Sequence, residues 1–302
     1  MSAPKIVSFV VGESGQRLDK GVAENCPELS RTQAQKLVSD GLVTVNDQVA
    51  KAGLKLGAGD RVRITLPPSP GDAPAPEAMP LSIVYEDSDL LVVNKPAGLT
   101  VHPAPGHPDH TLVNAILAHV PGLAELDDSE RPGLVHRLDK DASGLMAVAK
   151  NREAQLNLIS QFKARSVVKA YFVLVRGRLT PADGMIEAPI GRDPHYRKRM
   201  AVVAEGEGRE ARTNYHVLRH LGGCSLLEVK PETGRTHQIR VHLSAIGYPV
   251  FGDRVYGARS DEFTRLFLHA GRLGFKLPSS GEYKEFTSEL PAELERVLGE
   301  LE

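Results

Sequence analysis

The chain has 302 residues, of which 41% are hydrophobic and 25% are charged, and its formal net charge is −1. This composition is typical of a soluble globular protein of about two domains, and the balanced charge gives no support for a nucleic-acid ligand at whole-chain level. No apolar run reaches the roughly eighteen residues of a membrane span, and the N-terminus is too polar for a signal peptide. We therefore expect a cytoplasmic protein without membrane contact. Two cysteines without a CxxC spacing argue against a disulfide framework and a zinc site.

The first 66 residues predict a small α+β domain. SRTQAQKLVSDG predicts a helix over 31–39, which Gly41 can end in a left-handed conformation. LVTVNDQVAKAG then predicts a short strand, a turn at Asn46 and Asp47, and a return strand. The alternating apolar residues of GDRVRITLP predict a closing strand.

A proline-rich stretch follows this domain. Residues 67–80, PPSPGDAPAPEAMP, contain six prolines. Because proline disrupts helix interiors and central strands, the stretch predicts a semi-rigid linker. It divides the chain into an N-terminal domain over 1–66 and a larger domain over 81–302.

The larger domain mixes strand and helix patterns without a regular βαβ rhythm. The predicted elements are two strands around a turn at 87–89, a helix over 111–120, a strand over 166–177, a hairpin through 222–223 and a helix over 237–247. This irregular order predicts an α+β fold with a largely antiparallel mixed sheet and a central cleft.

One candidate functional stretch is HRLDKDASGLM at 136–146, which places several charged residues side by side before an apolar run. The pattern is typical of a turn at the edge of a cleft. Asp139 and Asp141 could be turn residues that bond their own backbone, or one of them could carry chemistry. The residues alone leave both interpretations open.

A second candidate stretch is VVKAYFVLV at 167–175. On a strand, Lys169 and Tyr171 share one face with aliphatic residues. A tyrosine in such a row is more often a core residue with a bonded hydroxyl than a catalytic group.

A third candidate stretch is PETGRTHQIRVHL at 231–243. Thr236 can cap the helix that follows, and His237 and Arg240 share a helix face. Arg235 and Arg240 have no acid beside them in sequence. They are therefore either solvated or directed at a carboxylate or phosphate.

Several familiar sites are not present in the sequence. GxxxxGK[ST], GxGxxG after a strand and GxSxG motifs do not occur, which argues against a nucleotide cradle or a serine nucleophile elbow. His237 and His242 are five residues apart, a spacing that suits neither a helix face nor a strand face. His102, His107 and His110 lie in a Pro/Gly-rich loop without a carboxylate motif. We expect neither a cofactor nor a metal ion.

Taken together, HRLDKDASGLM, KAYFVLVRG and TGRTHQIRVHL stand in the order and at the separations found in pseudouridine synthases of the RluA family, which the chain resembles. NKPAGLTVHPAPGHPDHTLVNAILAH, YPVFGDRVYG and FLHAGRLGF extend the resemblance over nearly all of the larger domain. RLDKGV, SRTQAQKLVSDGLVTVN and GDRVRI resemble an S4-type RNA-binding domain. This combination is most similar to the RluD and RluC branch, which acts on large-subunit (23S) ribosomal RNA.

The resemblance implies an isomerase that converts uridine in RNA to pseudouridine without a cofactor. The N-glycosidic bond breaks, the base turns, and a carbon–carbon bond forms at carbon 5. Asp139 then matches the essential aspartate, which either attacks the sugar or removes a sugar proton. Arg240 matches the arginine that pairs with it. Tyr171 matches the tyrosine that packs on the uracil and could help to remove the proton from carbon 5.

The resemblance also implies RNA contacts outside the reacting centre. The predicted RNA-binding residues are Arg137, which enters the RNA stack as the base leaves, with Arg235 and His237 in the larger domain and Arg17, Lys20, Arg31 and Lys36 in the N-terminal domain. We expect a monomer whose partner is large-subunit ribosomal RNA or a ribosomal precursor. Transfer RNA as substrate, a non-catalytic RNA-binding or ribosome-assembly protein, and a two-carboxylate glycosidic hydrolase stay open as alternatives.

Overall fold

The computed structural model describes residues 5–26, 29, 31–66, 74–104, 107–125, 132–196, 199–257, 263 and 265–302. The chain divides into two compact units, residues 1–72 and 73–302. Part of the predicted linker, residues 67–73, lies outside the described residues. The remainder belongs to the larger unit, where Asn114 donates a hydrogen bond to the carbonyl of Ala75 and accepts one from the amide of Glu77.

The smaller unit combines two helices with a four-stranded antiparallel sheet. Its elements are β1 (Lys5–Val10), α1 (Leu18–Asn25), α2 (Arg31–Ser39), β2 (Val43–Val45), β3 (Gln48–Val49) and β4 (Arg61–Leu66), and the strand order is β1-β4-β2-β3. Alternation along β4 directs Val62 and Ile64 into a core that they share with Leu18 and Val22 of α1 and Ala34 of α2. The alternating apolar residues of the strand and the helically spaced apolar residues of α1 and α2 thus pack in one small core.

Local sequence rules account for the turns of this unit. The helix predicted over 31–39 is confirmed as α2. Gly41 has φ 74°, and the Leu42 amide donates to the carbonyl of Leu37, which closes the helix as predicted. Asn46 and Asp47 have φ values of 49° and 65°, as a tight hairpin turn between β2 and β3 requires.

The larger unit is built on one mixed sheet. Its strands are β5 (Ile83–Glu86), β6 (Leu90–Lys95), β7 (Ser143–Ala149), β8 (Val168–Arg176), β9 (Asp183–Glu187), β10 (Ile190–Arg192), β11 (Met200–Val202), β12 (Arg212–Leu221), β13 (Cys224–Pro231), β14 (Leu268–Lys276) and β15 (Tyr283–Thr287). Its helices are α3 (Leu112–His119), a 3-10 helix (Pro121–Glu125), α4 (Arg152–Lys163), α5 (Gln238–Ala245) and α6 (Ala292–Leu301).

The main sheet has the order β5-β6-β7-β14-β8-β13-β12-β9, with β15 paired to β14, while β10 and β11 form a separate ribbon. Among the described strands, β7 and β14 run parallel and the other pairs are antiparallel. The predicted α+β class with a largely antiparallel mixed sheet is confirmed. So are the predicted helix α3, the strand β8, the β12–β13 hairpin and the helix α5.

Strand alternation separates the two faces of the sheet at β8. Val173 and Val175 pack in the largest core cluster, against which Tyr171 is half-buried. Leu174 points the other way and packs with Leu294 of α6. Lys169, Tyr171 and the residues in step with them therefore face the side of the sheet away from α6.

The close approach of β7 and β14 fixes the loop that precedes β7. Gly144 has φ 115°, and a Cβ atom there would lie 2.4 Å from the carbonyl oxygen of Ala270. Only glycine satisfies both the backbone conformation and this contact. The glycine of HRLDKDASGLM thus sets where β7 begins, and the charged residues before it stand at the edge of the sheet.

Candidate active site

A cleft of about 460 Å³ opens where the loop before β7, the face of β8 and the start of α5 meet. This volume lies within the roughly 300–1,000 Å³ of typical ligand pockets. The three candidate stretches of the sequence all line it. The predicted residues brought together here are Arg137, Asp139, Tyr171, Arg235, His237 and Arg240.

The loop of the first candidate stretch is held by its apolar residues. Leu138 and Ala142 are buried in the largest core cluster, and the Ala142 amide donates to the carbonyl of Asp139. The predicted turn at the edge of a cleft is therefore confirmed. Alternation around Leu138 leaves Arg137 exposed, while the Asp139 side chain is 16% exposed.

A buried lysine ties this loop to the segment after β6. Nζ of Lys95 donates to the carbonyls of Pro96, Leu99 and Lys140 at 2.8 to 2.9 Å. Burial lowers the pKa of Lys95 to about 7, whereas the carboxylates of Asp141 and Asp139 favour its charged form. Three acceptors match the three N–H bonds of an ammonium, so the geometry is that of charged lysine. No sequence motif indicated this role.

Arg240, on α5, links two carboxylates. Its Nη1 donates to Oδ2 of Asp139 at 3.0 Å, while Nε and Nη2 donate to Oδ2 and Oδ1 of Asp253 at 2.7 and 2.9 Å. Asp253 also accepts the backbone amides of Val255 and Tyr256. The side chain of Arg240 is only 6% exposed and that of Asp253 is fully buried. The guanidinium is thus fixed by a two-bond contact to a rigid carboxylate.

The electrostatics of this group favour the charged forms of Arg240 and Asp253. Burial works against the charge of Arg240, but its bonds to Asp253 and Asp139 outweigh burial and raise its pKa. Burial likewise opposes the charge of Asp253, yet Arg240 and the backbone amides lower the pKa of that carboxyl. Because Asp253 occupies two of the guanidinium nitrogens, Asp139 receives a single bond at Oδ2. Among the described residues, nothing donates to its Oδ1.

Tyr256 and His237 complete the wall behind Arg240. The Arg240 guanidinium lies 5.1 Å from the centre of the Tyr256 ring, within cation–π range. The Tyr256 hydroxyl accepts the Met200 amide and bonds Nδ1 of His237 at 2.8 Å. Burial lowers the pKa of His237, which favours a neutral ring near pH 7. Asp253 and Tyr256 stand in YPVFGDRVYG, a stretch for which the sequence suggested no role.

The start of α5 differs from its prediction. The prediction that Thr236 caps the helix is wrong, because His237 occupies the cap position with φ 56° and its side chain forms no capping hydrogen bond to the helix backbone. Gln238 organises the turn instead. Its Oε1 accepts from the hydroxyl of Thr233 and the amide of Arg235, while its Nε2 donates to the carbonyl of Arg212. Burial of this amide makes it a better anchor than an exposed threonine hydroxyl.

Tyr171 lies in the cleft with a free hydroxyl. No described residue forms a hydrogen bond with it, which is unusual for a core tyrosine. Burial, with a smaller contribution from Asp139, raises the pKa of Tyr171, so the phenol is neutral at physiological pH. The ring can therefore offer a flat apolar face, and its hydroxyl is available to a ligand.

The other predicted RNA-binding residues of the larger unit stand at the rim. Arg137 is exposed, and Arg235 uses only Nε, to the carbonyl of Glu210 at 2.9 Å. The same cleft is also lined by Lys163, Arg165 and Lys169. The sequence did not predict RNA contacts for these three cations.

In the smaller unit, a buried carboxylate organises two of the four predicted RNA-binding residues. Asp19 is fully buried and accepts from Nε of Arg17 at 3.0 Å and Nε of Arg31 at 3.1 Å. The Arg17 guanidinium holds the pKa of Asp19 well below its usual range. Lys20 and Lys36 are exposed. Both arginine side chains remain about half exposed, so they keep nitrogens for a ligand.

The described residues contain neither a metal-binding cluster nor a membrane-spanning helix. In these parts of the chain, no group of three or more His, Cys, Asp or Glu side chains could hold a metal ion. No helix there has the length and apolar character needed to cross a membrane.

The comparisons with known proteins indicate the same family as the sequence motifs that line the cleft. The RNA pseudouridylate synthase family matches residues 89–245, and the S4 domain family matches residues 16–62. An uncharacterized RNA pseudouridine synthase of Bacillus subtilis (strain 168) is 45% identical over 96% of this chain and 95% of its own length. Ribosomal large subunit pseudouridine synthase D of Neisseria meningitidis serogroup A is 43% identical over 95% of this chain and 79% of its own.

A solved structure agrees as well. Human RNA pseudouridylate synthase domain containing 1 superposes with a TM-score of 0.59 at 33% identity, over 75% of this chain and 89% of that one. The family match over residues 89–245 contains the three sequence stretches that line the cleft. The chain therefore belongs to the RNA pseudouridine synthases, close to the RluA family, and carries an S4 domain in its N-terminal part.

Proposed function

We propose that this pseudouridine synthase isomerises uridine in large-subunit (23S) ribosomal RNA, with Asp139 as the essential carboxylate and without a cofactor. The observation that carries the site assignment is the buried Asp253–Arg240–Asp139 chain, which ends at an unbonded carboxylate oxygen in the cleft. The ribosomal substrate is supported by relatives named ribosomal large subunit pseudouridine synthase D and by the S4 domain.

The reaction moves one bond and one proton. The bond between N1 of uracil and C1′ of ribose breaks, a bond between C5 and C1′ forms, C5 loses its proton and N1 gains one. Asp139 would act through Oδ1 on the sugar, as nucleophile or as base, and both roles need the ionised carboxylate. Two unit charges at about 4 Å attract by about 4 kcal/mol at an effective dielectric constant near 20. Attraction of this order from Arg240 would hold the Asp139 carboxylate in place in a partly closed site.

Tyr171 would hold the uracil by stacking. Because its phenol is neutral, the hydroxyl can take the C5 proton only while it passes its own proton on. The carboxylate of Asp139, whose charge acts on Tyr171, would receive that proton. Turning the base within this pocket needs no further reagent.

Arg137 would hold the RNA open. Extruding a nucleotide from a stacked RNA costs a few kcal/mol, so a side chain that fills the gap favours the extruded state. Arg137 is exposed and directly precedes the buried Leu138, which fixes its backbone at the mouth of the cleft. The S4 domain would add phosphate contacts that carry little sequence information. A ribosomal substrate also implies that the protein works in the cytoplasm.

The test is tritium release. Large-subunit ribosomal RNA transcribed with tritium at C5 of uridine should lose label when the protein is added, with EDTA present and no cofactor supplied. Transfer RNA labelled in the same way is the comparison substrate. The cofactor-free reaction is contradicted if EDTA abolishes tritium release and a divalent metal restores it. In that case, agents that only refold the RNA must fail to restore release. Pseudouridine mapping with and without the gene then identifies the RNA. Changes in transfer RNA alone contradict the ribosomal substrate.

A further inference from the structure

The connection between α4 and β8 brings positive charge to the cleft at a place that the proposed reaction does not use. Lys163 ends α4, Arg165 follows it, and Lys169 is the second residue of β8. All three line the same cleft as Asp139. The reaction described above assigns a role to none of them.

Arg165 occupies a backbone position that favours glycine. Its φ is 60°, its amide donates to the carbonyl of Phe162, and the Ser166 amide donates to the carbonyl of Gln161. This pair of bonds is a Schellman helix end, in which the left-handed residue is usually glycine because a Cβ atom is strained there. Strained non-glycine residues concentrate at functional sites. The position therefore retains an arginine side chain at the cleft despite a local conformational cost.

Lys169 lies in the cleft without a counter-ion. Alternation on β8 places it on the same face as Tyr171, and no described residue forms a hydrogen bond or ion pair with its Nζ. Burial lowers the pKa of Lys169, and the positive charge of Arg165 lowers it further. The two cations are thus close enough to repel each other. An unpaired, partly buried ammonium beside a second cation is unfavourable unless an anion joins them.

The carboxylates around the cleft are already engaged. Asp139 bonds Arg240, and Glu232 accepts the side-chain amide of Asn214 at 2.9 Å. Glu210 lies 3.4 Å from Arg165 and also 3.4 Å from Arg212, so its charge is shared and does not reach Lys169. Among the described residues, no protein anion completes the pair of cations. The anion that an RNA substrate brings repeatedly is its phosphodiester group.

We propose that Arg165 and Lys169 together bind one phosphodiester group of the RNA strand beside the target nucleotide, with Lys163 at the outer edge of this subsite. The inference rests on the proposed RNA isomerisation and extends it by naming where the strand backbone is held. Lys169 precedes Tyr171 by two residues on the same face of β8, so the two residues lie about 7 Å apart along the strand. The subsite would therefore lie along β8 beside the residue that stacks on the uracil, and not at the reacting sugar.

Two roles for Lys169 predict different kinetics. A phosphate contact is made equally in the bound substrate and in the transition state, so its loss weakens binding and leaves kcat unchanged. A contact with negative charge that develops on the detached uracil acts in the transition state only, so its loss lowers kcat at unchanged affinity. Binding and single-turnover rates measured together separate the two roles.

The variants are Lys169→Met and Arg165→Gly, with Arg296→Met as the control. Methionine keeps the length of the lysine side chain without its charge, and glycine suits φ 60° at position 165. Arg165→Asn tests the same loss with a residue that tolerates this φ and adds less backbone freedom. Arg296 is an exposed arginine on α6, on the opposite face of the sheet, so its loss changes net charge equally away from the cleft.

The measurement is affinity for an unmodified large-subunit ribosomal RNA transcript at several salt concentrations, together with single-turnover tritium release. We expect each cleft variant to raise Kd by about tenfold, as loss of a charged hydrogen bond does. The slope of log K against log salt should become shallower by about 0.7, the value for one single-strand phosphate. Rates at saturating protein should match the wild type, the midpoint of thermal unfolding should not fall, and Arg296→Met should change neither Kd nor rate.

Three outcomes overturn the proposal. Unchanged Kd and salt slope in both Lys169→Met and Arg165→Gly rule out the phosphate contact. A lower rate at unchanged Kd assigns Lys169 to the base instead. If Arg296→Met raises Kd equally, the effect of the cleft variants is explained by net charge and not by a subsite. Each of these requires an active wild type, whereas absence of tritium release from the wild type itself contradicts the proposed function and not the subsite.

Discussion

The substitution Asp253→Asn tests whether Asp139, the proposed catalytic carboxylate, depends on a residue outside the cleft lining. The asparagine keeps the shape of the side chain, and its oxygen can still accept from Nη2 of Arg240 and from the amides of Val255 and Tyr256. Its NH₂ group must then face Nε of Arg240, which also donates. The change therefore replaces a hydrogen bond of 2.7 Å by two donors that face each other. Asp139 then remains as the one carboxylate that pairs with Arg240 among the described residues.

The magnitude follows from the burial of the pair. Breaking a buried ion pair by removing one partner costs about 3–5 kcal/mol, and the retained bonds place this change near 3 kcal/mol. In a domain of about 200 residues each kcal/mol lowers the midpoint of unfolding by about 2–4 °C, so we expect a fall of about 6–12 °C. A guanidinium displaced by about 1 Å misorients Asp139, for which a loss of about 100-fold in single-turnover rate is expected. RNA affinity should stay within about threefold, because Asp253 contributes to no binding surface.

Calorimetry and tritium release on the same protein check this prediction. Asp183→Asn is the matched control, since Asp183 is 75% exposed and pairs with His216 at the edge of the sheet. An exposed pair of this kind contributes less than about 1 kcal/mol, so this variant should keep both its rate and its unfolding midpoint. If Asp253→Asn keeps a rate within twofold of the wild type, the argument that Asp253 positions Arg240 is refuted.

Three further predictions concern the carboxylate, a histidine in the cleft wall and the S4 domain. Asp139→Asn should abolish tritium release and leave folding and RNA affinity nearly unchanged, and near-normal release would refute its assignment. His136 accepts the Ala147 amide at Nε2, and burial lowers its pKa to about 3 from an ordinary 6.5. Between these two pH values His136 is protonated in the unfolded chain but not in the folded chain. The contribution of His136 to stability is therefore complete above about pH 6.5 and is lost as the pH falls toward 3, by at most about 1.4 kcal/mol per pH unit. The free energy of unfolding, measured with denaturant across this pH range, should depend less on pH in His136→Gln than in the wild type. An identical pH dependence contradicts this role of His136. A chain lacking residues 1–66 should stay folded and keep tritium release but bind large-subunit RNA more weakly with a shallower salt slope, and unchanged binding contradicts a tethering role.

Local patterns were sufficient for several elements, whereas the residues of the proposed site were identified through the family resemblance. The helix α2 and its end at Gly41, the turn at Asn46 and Asp47, and the strand β8 depend on hydrogen bonds and φ values within a few residues. Such features can be predicted because the interactions that decide them are adjacent in the chain. Asp139 and Arg240 were found through motif order, and the structure joins them by a hydrogen bond across 101 positions.

The tertiary structure alone decided the partners of these residues. The sequence offers Arg240 no neighbouring acid, yet the fold supplies Asp253, and Lys95 reaches the carbonyl of Lys140 45 residues away. Thr236 was predicted as a helix cap, but buried Gln238 took over the turn because its amide satisfies more backbone groups there. Short-range rules determine where helices, strands and turns form. Which charges meet in a dry interior depends on packing between distant segments, because burial removes the water that would otherwise satisfy each charge separately.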